Sequence, residues 1–152
     1  MIDLKNTRLY VTSTSIKNFS GRGLFNKEDS TTYAQVSSGG KVEETPNGVQ
    51  VKGWLSKDGF GMKLPDYPGA TKVDGYEFFL IKNMESAERL VPGSSSVNGI
   101  MGLAPRSTAT STNYVADLHT KGLIPSPVFS LLIADSTGQS SITLGDTNMF
   151  YV

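Results

Sequence analysis

The chain has 152 residues, with 14 basic and 14 acidic side chains, one His and no Cys. A formal net charge of zero gives no electrostatic footprint for nucleic acid or for an anionic membrane face. Without Cys there is no disulfide framework, thiol nucleophile or Cys-ligated zinc, and one His builds no multi-His metal site.

Charged residues make up 18%, while 18 Ser, 14 Thr, 16 Gly and 7 Pro point to short strands and many turns. No apolar run approaches the roughly 20 residues that span a bilayer. The opening Met1-Ile2-Asp3-Leu4-Lys5 lacks the basic-then-apolar layout of a secretory signal, which leaves the compartment open.

In chain order, Leu9 to Ser13 reads as a strand rich in aromatic and β-branched residues. Asp29 to Tyr33 is a polar turn entering a short strand. Lys41 to Glu44 and Val49 to Leu55 form a hairpin about Pro46-Asn47-Gly48, because Asn and Gly both tolerate positive φ. Gly59, Gly61, Pro65, Pro68 and Gly69 are expected to break the next stretch into loop. Tyr76 to Ile81 is an apolar strand covered on both faces. Val97 to Leu103 is another, and its Gly99 and Gly102 imply close approach of a second backbone segment. The one good helix candidate has Thr112 as cap, Tyr114, Val115 and Leu118 on one face, and Gly122 as stop. Phe129 to Ala134 and Ser141 to Leu144 are strands. No repeat or long linker divides the chain, so residues 1–152 read as one mostly-β domain with one short helix.

Several residues look chemical but have plainer readings. His119 is a surface histidine with no Ser or acid placed to make it a general base. Glu43 and Glu44 point to opposite faces of a strand and make a poor dyad. Trp54 reads as packing. Gly59-Phe60-Gly61 lacks the setting of a phosphate loop. Asn18-Phe19-Ser20 is a glycosylation sequon that matters only in a secreted protein.

Four stretches resemble the first lobe of the pepsin-like aspartic proteases, in order and spacing. Phe25 to Tyr33 is similar to their "FxPxxSSTY" segment, and Val97-Asn98-Gly99-Ile100-Met101-Gly102-Leu103-Ala104-Pro105 to their "DGILGLA" strand. Leu118 to Ile124, then Pro127-Val128-Phe129-Ser130, then Leu144-Gly145-Asp146, is similar to "L…QGLI…PVFSxxL…lxxGgxD". The first stretch, Asp3 to Val11, falls on the catalytic Asp-Thr-Gly-Ser motif and its following strand. The resemblance implies a single lobe of the pepsin-like fold, incomplete at its N-terminus and without a second lobe.

It also implies peptide-bond hydrolysis by a water held between two aspartates, with no metal and no cofactor. The partners implied are a peptide or protein substrate or ligand, and a second lobe or partner chain. The family is usually secretory, vacuolar or lysosomal.

Asp3 is the one position that matches a catalytic residue. Here, however, Thr-Gly-Ser has become Leu4-Lys5-Asn6. The family's small residues let two loops approach back to back, and Leu4 and Lys5 are too large for that. The Lys5 ammonium favours an ionised Asp3 and opposes the proton sharing on which a carboxylate pair depends. The plainer reading of Asp3 is an exposed acid near a frayed terminus, with nothing upstream to fix its rotamer. The flap Tyr is also missing: Pro46 occupies its place, and Pro46, Asn47 and Gly48 form the substrate-facing hairpin tip.

Three readings stand: an endopeptidase lobe inactive by itself, a catalytically dead lobe that binds peptides or a protein, and a generic β domain. A lobe without its partner is expected to expose edge strands near Tyr76 to Ile81 and Val97 to Leu103, and to self-associate.

Overall fold

A computed structural model describes residues 1–16, 23–36, 40–62, 71–84, 90, 97–106, 112–134, 138 and 140–146. The sequon and most of the Gly/Pro-rich stretch after Gly61 lie outside the described residues. The chain divides into two compact units, one of Met1–Phe60 with Asp74–Asn113, the other of Gly61–Val73 with Tyr114–Val152.

The first unit is built on seven strands: β1 (Ile2–Asp3), β2 (Leu9–Thr12), β3 (Ala34–Gln35), β4 (Val42–Glu44), β5 (Val51–Phe60), β6 (Val73–Met84) and β7 (Gly99–Gly102). Their order is β1-β7-β2-β6-β5-β3, with β4 paired to β5. β6 is the spine. Phe79, Leu80 and Ile81 are fully buried, and alternation sends neighbours to opposite faces. Phe79 and Ile81 pack with Tyr10, Val49, Val51, Met84, Leu90 and Ile100. Phe78, pointing the other way, meets the Phe25 ring edge-on at 5.6 Å. Each such side chain contributes roughly 1.5–3 kcal/mol by leaving water.

Two expectations are corrected here. β6 lies between β2 and β5, and β7 between β1 and β2, so the strands expected to form exposed edges are interior ones. Gly59 also lies inside β5 and does not break it. Two other glycines earn their places by close approach. A Cβ on Gly53 would sit 2.0 Å from the Leu80 carbonyl oxygen, and one on Gly99 would sit 2.8 Å from that of Tyr10.

In the second unit, α1 (Tyr114–Thr120) buries Tyr114, Val115 and Leu118. Tyr114 donates its hydroxyl to the Thr71 carbonyl at 2.5 Å. The helix ends at Gly122 (φ 68°), where the Leu123 amide reaches back to Leu118 O at 2.9 Å. The Thr112 hydroxyl is buried without a hydrogen-bond partner, so it does not cap the helix as expected. β8 (Phe129–Leu132) and β9 (Ser141–Leu144) pair antiparallel. His119 is exposed in the last turn, as its sequence context implies.

Candidate active site

The site begins with one topological fact. β7 threads between two segments that are close in sequence: β1 runs parallel to it, with Asp3 opposite Gly102, and β2 runs antiparallel, with Leu9 opposite Met101. Residues 4–8 loop around the end of β7. The Leu103 amide donates to Asp3 O at 2.8 Å, Ala104 N to Asn6 O at 2.9 Å and Gly102 N to Arg8 O at 3.0 Å. Only glycine fits at 102, since a Cβ there would lie 2.5–2.6 Å from Asn6 O, Arg8 N and Arg8 O.

That loop fixes Asp3. The residue is 7% exposed, which corrects the reading of a frayed, solvated acid. Nothing upstream is needed to hold its rotamer, because the downstream loop does so. The Lys5 amide donates to Oδ1 at 2.8 Å, and the Asn6 side-chain amide donates to Oδ2 at 2.5 Å. Leu4 and Lys5 are both exposed. Burial alone would raise the Asp3 pKa. The hydrogen bonds from the Lys5 amide, the Asn6 side chain and the Asn6 amide outweigh it, and the Lys5 charge adds to them. The carboxyl is held below its ordinary value, so it is an ionised group. The expected direction of the Lys5 effect is right, but backbone and side-chain donors do more than the ammonium.

The hairpin of β4 and β5 carries Pro46, Asn47 and Gly48 in its connection. These form a tight 3-10 turn in which Asn47 (φ 52°) and Gly48 (φ 78°) both take positive φ. Pro46 is fully buried, while Asn47 and Gly48 face solvent. Asp3 thus takes its hydrogen bonds from Lys5 and Asn6 and not from this tip, and Pro46 serves packing.

Sequence reasoning missed what holds the hairpin down. Glu44, the last residue of β4, takes an ion pair from Arg8 and a hydrogen bond from the Tyr10 hydroxyl at 2.6 Å. Burial, then the Glu44 carboxylate, push the Tyr10 hydroxyl well above its ordinary pKa, so it stays a donor. Arg8 and Tyr10 are two apart on an extended segment and therefore share a face, which was the available signal. Glu43 points the other way, to Lys52 at 2.8 Å and Gln50 at 3.0 Å, and so the two glutamates do not form a dyad.

The arrangement thus presents one fixed, ionised carboxylate, and a hairpin clamped at its base by Arg8 and Tyr10. Such a group can accept a proton from a water. In a carboxylate pair a second, protonated carboxyl supplies the proton that an ionised one lacks. Among the described residues no cluster of His, Asp or Glu is arranged to hold a metal ion, and no helix is long and apolar enough to cross a membrane.

The family model described as eukaryotic aspartyl protease matches residues 2–151. No curated protein matches the chain.

Proposed function

Because the chain belongs to the eukaryotic aspartyl protease family, we propose that it is a lobe of an aspartic-type endopeptidase in which Asp3 supplies one of the two carboxylates. What supports this most is the position of Asp3: it ends a strand on a loop threaded by β7, buried and hydrogen-bonded. In this reading Asp3 takes a proton from the attacking water as it adds to a peptide carbonyl. The proton for the departing amine comes from a second carboxyl, contributed by a second lobe or a partner chain. The substrate is a peptide or protein laid between Asp3 and the hairpin tip of Pro46, Asn47 and Gly48. In this reading the chain by itself is inert, because the protonated carboxyl that works with Asp3 comes from the second lobe or partner chain.

A second reading has its own support. With Pro46 buried in place of a flap tyrosine, and Glu44 clamping the hairpin, the lobe is a protease-like module that binds a peptide or protein and does not cut it.

The test is cleavage of a broad peptide pool at acidic pH, with and without a pepstatin-type inhibitor. The expected result for the chain alone is no inhibitor-sensitive cleavage. Supplying the C-terminal lobe of a related aspartic protease in trans is expected to restore cleavage, and Asp3→Ala to abolish it. Binding of peptides by the pair with no cleavage at any pH favours the second reading. Inhibitor-sensitive cleavage by the chain alone that disappears in Asp3→Ala would overturn the view that it is inert.

A further inference from the structure

Away from Asp3, β2 runs on into a short polar turn whose two serines meet a lysine of β6. Lys82 Nζ lies 3.0 Å from Ser13 Oγ and 2.9 Å from Ser15 Oγ, and the two hydroxyls are 3.1 Å apart. Ser13 is 1% exposed, so one corner of this triangle is rigid and dry, whereas Ser15 is open to solvent. The ammonium also lies 5.2 Å from the centroid of the Trp54 ring.

The proton inventory of this cluster is lopsided. An ammonium carries three N–H donors and each serine one O–H. The acceptors within the triangle are the two hydroxyl oxygens, and Ser13 Oγ already takes the Ser15 amide at 3.2 Å. The Trp54 face can absorb part of the charge. Among the described residues no carboxylate lies within ion-pair distance of Lys82; Glu28, whose charge acts on it, is paired with Lys27 at 3.4 Å. Partial burial, then the like charge of Lys27, depress the Lys82 pKa, with Glu28 opposing. The cluster therefore has donors and positive charge in excess, partly out of water.

We propose that Ser13, Ser15 and Lys82 form a binding site for an oxyanion, either a carboxylate or a phosphoryl group carried by a ligand. The anion accepts from the Ser15 hydroxyl and from Lys82, and Ser13 holds the ammonium in place from the buried side. Charge-assisted hydrogen bonds supply the affinity. The anion also relieves the repulsion between Lys82 and Lys27.

Trp54 is the only tryptophan in the chain and lies against the ammonium, so its fluorescence reports on occupancy. Inorganic phosphate and acetate are titrated separately at constant ionic strength, with chloride as the balancing salt. The expected result is a saturable change in Trp54 emission. Tighter binding of acetate assigns the site to a carboxylate, and tighter binding of phosphate assigns it to a phosphoryl group. Ser15→Ala and Lys82→Met are each expected to weaken binding about tenfold or more. Lys52→Gln, a surface lysine on the hairpin, is expected to leave it unchanged. Ser15→Ala serves as the decisive variant if Lys82→Met fails to fold. A signal that rises linearly without saturating, or binding retained in Ser15→Ala, overturns the proposal.

Discussion

At Asp3 a carboxylate is kept ionised in a nearly dry place by donors three residues or fewer away. Its folded pKa lies below the reference of 3.8. A depressed acid stabilises the fold above its unfolded pKa and loses that contribution as pH falls through its folded one. Asp3→Asn is therefore expected to cost about 2 kcal/mol at neutral pH, since the new Nδ2 would face a donor. The cost is expected to shrink as the pH falls below that reference value, where Asp3 in the parent protein becomes protonated. Urea melts of the two proteins at several pH values check this; a cost independent of pH down to strong acid would count against it. Leu4 and Lys5 face solvent, and Asn6 supplies a side-chain donor to the Asp3 carboxylate.

At the scale of elements, the β4–β5 hairpin is held by its base and not by its tip. Glu44 reaches both Arg8 and Tyr10 of the neighbouring segment while Pro46 packs inward. Glu44→Gln removes the ion pair and leaves one amide oxygen to serve two donors. The expected cost is about 1 kcal/mol. Hydrogen exchange at Val42 to Glu44 is expected to quicken about fivefold, with the amides of β6 unaffected, because the opening is local. Equal acceleration in both strands would mean that Glu44 supports the whole sheet and not the hairpin. The Asn47-Gly48 signal located this turn well, since its chemistry is local. The clamp was hidden because it joins residues 34 and 36 apart in sequence, and nothing near Glu44 announces its partners.

For the whole molecule, the interior placement of β6 and β7 moves the exposed apolar surface elsewhere. Met1, Ile2 and Leu4 are 41–56% exposed beside Asp3, and Ile133 is 83% exposed after β8. Among the described residues the edges of the large sheet are the two-residue strands β1 and β3 and the three-residue β4, short enough to limit strand pairing between chains. Any self-association is then expected to be side-chain driven and to run through the apolar residues around Asp3. Leu4→Lys is expected to shift sedimentation toward monomer at high concentration. No change on that substitution would place the contact elsewhere.

The mostly-β character, the hairpin, the helix with its Gly122 stop and the family kinship could all be read from residues alone. They depend on local conformational preference and on side-chain alternation, which are written into neighbouring positions. The close approach at Gly99 and Gly102 was also legible as a need for space, though not which backbone would fill it. Tertiary structure alone decided that β7 passes inside the loop after Asp3, that Asp3 is therefore buried and ionised, and that Glu44 closes the hairpin. Each of these joins segments tens of residues apart, and their pairing is selected by burial of the β6 core, to which no single segment holds the key.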